Sequence, residues 1–201
     1  MKKLLLTSKK LDKLSDLITN SPENVKVAFI PTAGDPYENK WFVDEDREKL
    51  KKAGFQLTDV DLKNTTKDEL INALADMDVV FVAGGNTFYL LEKVKESGFD
   101  KVILPLTEKG VIYVGSSAGA ILAGPSIEPA KDLDDPSKAP NLKSYEGLGL
   151  VDFVILPHYG KEKYKEKYLK IIDEYKDGQL KLVLLGDDQS IIVKGDAYEI
   201  L

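Results

Sequence analysis

Ser117 sits at the centre of Gly115-Ser116-Ser117-Ala118-Gly119, directly after the apolar run Val111 to Val114 and before a small-residue stretch of helical character. The pattern fits G-x-S-x-G, in which a serine is held on a sharp strand-to-helix turn and presented as a nucleophile. Small neighbours are needed there so that strand and helix can approach, and the first amides of the helix then point toward a developing oxyanion. The same small residues also suit plain packing of a helix on a sheet, and the motif alone leaves both readings open. Ser116 occupies the first variable position of the motif and is the lesser candidate.

A serine nucleophile needs a base. The chain has one histidine, His158, in "VILPHYG", and no cysteine. A cysteine nucleophile, a disulfide and a thiolate metal site are therefore all excluded, and one imidazole gives a poor zinc ligand set. We expect neither metal nor cofactor. A carboxylate holding the imidazole would complete the set. The 34 acidic residues leave this choice open. Asp187 and Asp188 in "LLGDDQSIIV" compete with Asp132, Asp134 and Asp135 in a polar stretch after the serine. "FVAGGNTFYLL" offers a second backbone donor, so that the amides of Gly85 and Ala118 together form an oxyanion hole, with Asn86 at the same turn facing substrate. The glycine pair also suits a phosphate cradle. Neither G-x-G-x-x-G nor G-x-x-x-x-G-K-[ST] is present, which leaves a nucleotide site without support.

The elements that must hold these residues can be read from apolar patterning. Met1 to Thr7, Val25 to Pro31, Asp78 to Ala83 and Val151 to Leu156 read as strands, several of them apolar on both faces as in a parallel sheet. "FQLTDVDL", Val111 to Val114, Leu180 to Leu185, Ser190 to Val193 and Tyr198 to Leu201 add further strands. Helical spacing marks Lys9 to Asn20 and Asn39 to Ala53. Thr66 and Glu69 form a capping box for a helix through Ala75, with Leu70, Ile71 and Leu74 inward. Asn86 or Thr87 caps a helix through about Lys95, a further helix precedes Val111, and Lys161 to Tyr175 closes the set. Pro125 to Gly147 carries four prolines and no period, a length of loop more often functional than idle. Alternation of this kind predicts an α/β fold: a mostly parallel sheet with helices on both faces, ending in an antiparallel hairpin. In such sheets ligands collect at the carboxyl ends of the strands, where Ser117 and His158 both fall.

The 201 residues suit one domain spanning 1–201, and 43% hydrophobic with 31% charged residues is ordinary for a globular protein. A net charge of −6 argues against nucleic acid and anionic membrane as partners. No apolar run approaches the roughly 20 residues of a bilayer span. The apolar run Leu4 to Leu6 is too short for a signal peptide, and a cytoplasmic location is expected.

In the order "AFIPTAG", "FVAGGNTFYLL", "GSSAGAILAG", "LPHYG" and "LLGDDQSIIV", these segments resemble the peptidase E family of serine peptidases, family S51, which includes an aspartyl dipeptidase and cyanophycinase. The resemblance covers nearly the whole chain. It implies a three-layer sandwich similar to class I glutamine amidotransferases, of flavodoxin-like type, with Ser117 as nucleophile and His158 as base. It implies two acids, at Asp132 and near Asp188. The arginine that reads an N-terminal aspartate in that family is absent here, and Lys165 falls approximately at its place, a cation without the bidentate fork. A small peptide is the expected partner, with the chain a monomer or homodimer. The order Ser-His-acid separates this reading from an α/β-hydrolase esterase, in which histidine comes last. A catalytically silent ligand-binding domain of the same fold is the remaining alternative.

Overall fold

A computed structural model describes all residues, 1–201. Five strands run parallel: β1 (Lys3–Thr7), β2 (Lys26–Ile30), β3 (Gln56–Asp59), β4 (Val79–Val82) and β5 (Ile112–Ser116). With β8 (Ser190–Lys194) and β9 (Ala197–Ile200) they form a seven-stranded sheet of order β3-β2-β4-β5-β1-β8-β9. The last two strands are the antiparallel hairpin, with β8 antiparallel to β1.

The central strands are apolar along their middles because both their faces are covered. Leu4 and Leu6 enter one core and Leu5 the other; Val80 and Val82 oppose Val79 and Phe81 in the same way. The larger core lies beneath α2 (Lys67–Leu74), α3 (Thr87–Ser97), α4 (Phe99–Glu108) and α5 (Ala118–Leu122). On the opposite face, α1 (Trp41–Lys52) contributes Val43 and Leu50 to the smaller one. The capping box forms as expected: Thr66 Oγ1 accepts the Glu69 N–H, and the Glu69 carboxylate accepts the Thr66 N–H at 2.7 Å.

The structure departs from expectation in three places. Lys9 to Asn20 is not an α-helix but holds a 3-10 turn, Asp12–Asp16. Leu11, Leu14 and Leu17 recur every third residue, the 3-10 period, and are buried by the i−3 bonds Leu14 N–H to Leu11 O and Leu17 N–H to Leu14 O. Ile71 is exposed rather than inward, because the two-turn α2 seats only the i, i+4 pair Leu70 and Leu74. Lastly, β6 (Phe153–Pro157) and β7 (Lys181–Leu185) form a separate parallel pair. The place beside β1 is taken by β8 along the whole strand, so the pair packs elsewhere: Phe153 and Ile155 face the larger core, and Val154 and Leu156 face Tyr168 and Ile171 of α6 (Lys165–Tyr175). No helix is long and apolar enough to cross a membrane.

Candidate active site

β5 ends at Ser116, α5 begins at Ala118, and Ser117 alone makes the turn between them, at φ 49° and ψ −105°. A non-glycine residue there is strained by about 1–3 kcal/mol. The junction is over-determined by contacts that need small residues. A Cβ on Gly115 would stand 2.4 Å from Gly119 O, and one on Gly119 would stand 2.2 Å from Val82 O. From β1, Thr7 O accepts the Ser117 N–H at 2.9 Å. Packing and presentation of the hydroxyl are thus served by the same residues.

His158 follows β6 directly and also has positive φ, 67°. Its N–H donates to Ser8 Oγ at 2.8 Å, which fixes the backbone while the ring reaches Ser117. His158 Nε2 lies 3.0 Å from Ser117 Oγ, and Nδ1 lies 2.6 Å from Asp187 Oδ1. A carboxylate at Nδ1 makes that nitrogen the donor and leaves Nε2 to accept the serine proton. Ser8 Oγ donates to the same Asp187 oxygen at 2.7 Å, and Lys161 Nζ pairs with Asp187 Oδ2 at 2.5 Å. The four groups arrive from the carboxyl ends of β1, β5, β6 and β7, the edge where open parallel sheets collect ligands.

Burial pushes the His158 pKa below the ordinary imidazole value; Asp187 raises it, while Lys161 and Lys163 lower it further. The neutral ring, the form that accepts a proton, is therefore favoured. For Asp187 burial acts upward, but hydrogen bonds from Lys161, Ser8 and His158 outweigh it and hold the carboxyl well below the usual range. It stays ionised beside the imidazole.

Facing Ser117 is a cavity of about 270 Å³ lined by Gly84, Gly85, Ser116, Ser117 and His158, by Tyr37 and Asp46 on the α1 side, by Leu133 and Asp134 of the long loop, and by Lys161 and Lys163. Gly85 has φ 146°, and a Cβ there would fall 2.0 Å from Ala33 O. The amides of Gly85 and Ala118 have no hydrogen-bond partner within the protein, which leaves both free for an acceptor in the cavity. No set of three His, Asp or Glu side chains converges as metal ligands.

Four sequence-derived assignments are corrected by this geometry. The carboxylate on His158 is Asp187, not Asp188: in the turn from Gly186 to Gln189 the first acid points inward and the second is exposed. Asp132 lies away from the imidazole, paired with Lys170 of α6 at 2.6 Å. Asn86 does not line the cavity; its Oδ1 caps α3 at Tyr89 N–H and its Nδ2 donates to Asp135 O. Lys165 is exposed, 3.7 Å from Glu162, while Lys161 and Lys163 reach the cavity. Asp134, a competitor of Asp132, is half-buried and accepts the Thr87 N–H and hydroxyl, pinning the long loop to the start of α3. Ser8, Lys161 and Asp46 were missed. Ser8 follows a strand that ends at the ligand-binding edge, and that position was a signal available in the sequence.

Known proteins resemble this chain over its whole length. The profile of Peptidase family S51 matches residues 4–201. An uncharacterised peptidase of Listeria monocytogenes is 36% identical over 97% of this chain and 96% of its own. Peptidase E of Shewanella amazonensis is 31% identical over 85% of this chain and 79% of its own. The crystal structure of a candidate peptidase E protein from Listeria monocytogenes EGD-e superposes with a TM-score of 0.92 at 33% identity, covering 100% of this chain and 98% of that one. A peptidase from an acI-B1 Actinobacterium shares the fold, with a TM-score of 0.69 at 17% identity over 100% of this chain and 87% of that one. On the match of both sequence and fold, the chain belongs to peptidase family S51.

Proposed function

We propose that this protein is a serine peptidase that hydrolyses short peptides through an acyl-enzyme. The observation that carries the reading is the unbroken relay Ser117 Oγ, His158 and Asp187, with separations of 3.0 and 2.6 Å, ending in front of two unpaired amides. His158 Nε2 takes the Ser117 proton as Oγ attacks the scissile carbonyl carbon. The carbonyl oxygen gains charge and is received by the Gly85 and Ala118 amides. His158 then protonates the leaving amine, and water, deprotonated by the same ring, releases the acid and restores Ser117. Asp187 keeps the ring oriented and stabilises the imidazolium.

The cavity has a volume of about 270 Å³ and Leu133 and Asp134 of the long loop are part of its wall, which favours dipeptides and similarly small substrates. Lys163 lines it and has no carboxylate within ion-pair distance, its ammonium lying 4.5 Å from the Tyr164 ring centroid. Lys163 is thus the cation available for a substrate carboxylate, including the side chain of an N-terminal aspartate.

Ser117→Ala is expected to lower kcat on a dipeptide library by about 10⁴- to 10⁶-fold. Mass spectrometry of wild type treated with a fluorophosphonate should find one adduct, on Ser117. A Ser117→Ala variant that turns over peptides at the wild-type rate would remove the serine mechanism.

A further inference from the structure

We infer that Asp46 is the receptor for the free N-terminal ammonium of the peptide substrate, a specificity that rests on the peptidase reading above. Three carboxylates line the cavity: Glu45, Asp46 and Asp134. Two are already engaged. Glu45 holds Lys49 at 3.1 Å and Lys9 at 3.4 Å, and Asp134 accepts both the N–H and the hydroxyl of Thr87, at 2.9 and 2.5 Å. Asp46 is only 6% exposed, and the donors that face it are the Ser116 hydroxyl and the Lys49 ammonium. Its nearest cation, Lys49 Nζ, stands 3.7 Å away and is shared with Glu45 and with Lys9 O.

A buried carboxylate paired only with one hydroxyl and a shared ammonium is costly and is satisfied best by a cation that brings several N–H groups. Burial accordingly pushes Asp46 up to about 6, with Ser116 and Lys49 offsetting only part of the effect. A bare metal ion would need further ligands, and none converge here.

Position selects the peptide amino group. In an N-terminal residue the amino nitrogen is two bonds from the scissile carbonyl carbon, so its receptor must lie beside the nucleophile. Asp46 is beside Ser116, the residue before Ser117, and all three line one cavity. With the ammonium on Asp46, the first peptide carbonyl is the one presented to Ser117. The enzyme then cleaves after the first residue of an unblocked chain and rejects N-acylated peptides.

The test compares alanyl-leucine and aspartyl-leucine with their N-acetyl forms. Wild type should prefer the free amine by about 100-fold in kcat/KM, mainly through KM, and Asp46→Asn should reduce that ratio to below about fivefold. Asp46→Glu should recover part of it; Asp46→Ser serves as a second variant if Asp46→Asn fails to fold. Calorimetry on Ser117→Ala, with and without the Asp46 change, reads the same preference as binding. A ratio unchanged by the substitution, or equal losses on free and acetylated peptides, overturns the assignment. Hydrolysis indifferent to acetylation removes the ammonium site and leaves the peptidase. Asp46-dependent binding of free amines without any hydrolysis does the reverse, and neither binding nor hydrolysis removes both.

Discussion

Lys161 stands where two effects on His158 meet. Its ammonium is 2.5 Å from Asp187 Oδ2, and its charge also acts directly against an imidazolium. A base that must be neutral loses activity as pH falls through its pKa, so a lowered pKa places the acidic limb of kcat/KM below the ordinary histidine value of 6.5. In Lys161→Ala the direct repulsion is gone and Asp187 is no longer shared, and both changes favour the charged ring. The limb should move to higher pH by about half a unit to one unit, measured as a kcat/KM profile. A limb that stays in place or moves down would show that Lys161 does not act on His158. Ser8 complements it by tying the His158 backbone and the Asp187 carboxylate to one hydroxyl. Asp187 and Asp188 show the limit of reading residues alone. They are chemically identical neighbours, and only the turn after β7 decides which one points inward.

At the scale of elements, the site is a meeting of turns held rigid by backbone contacts. The turn from β4 to α3 presses against the 3-10 turn Thr32–Gly34, where Asn86 N–H donates to Ala33 O at 2.8 Å and Gly85 leaves no room for a Cβ. Gly85→Ala should therefore destabilise the protein by about 3 kcal/mol or more and displace the amide that receives the oxyanion. Thermal melting and turnover should fall together; a variant that melts with wild type would show that these turns shift freely. Strands and most helices were legible because apolar runs and capping residues act locally. The leucine repeat at Leu11, Leu14 and Leu17 misled because periods of 3.0 and 3.6 differ little over so short a span. The separate β6–β7 pair was not legible, since competition with β8 for the edge of β1 is decided by packing between distant segments.

For the molecule as a whole, Asp46 links the cavity to stability. Its pKa is raised in the folded state, from 3.8 to about 6, so the protonated carboxyl favours folding at low pH and that contribution is lost as pH rises through about 6. Asp46→Asn, which cannot ionise, should be more stable than wild type by about 1–3 kcal/mol at pH 8, the gap narrowing below pH 6 and closing near pH 4. Chemical denaturation at the two extremes measures it. A gap independent of pH would show that Asp46 is not desolvated, and that the cavity is wetter than its walls imply.

The sequence by itself determined the parallel α/β architecture, the serine on its turn and the solitary imidazole. Each follows from short-range rules: apolar runs that must be covered on both faces, small residues that permit close approach, and a residue type that occurs once. Only the tertiary structure decided which acid holds His158, that Ser8 and Lys161 brace that acid, and which lysines and carboxylates line the cavity. Those choices depend on the direction of side chains in turns brought together from four strand ends, and direction in a turn is set by contacts between segments far apart in the chain.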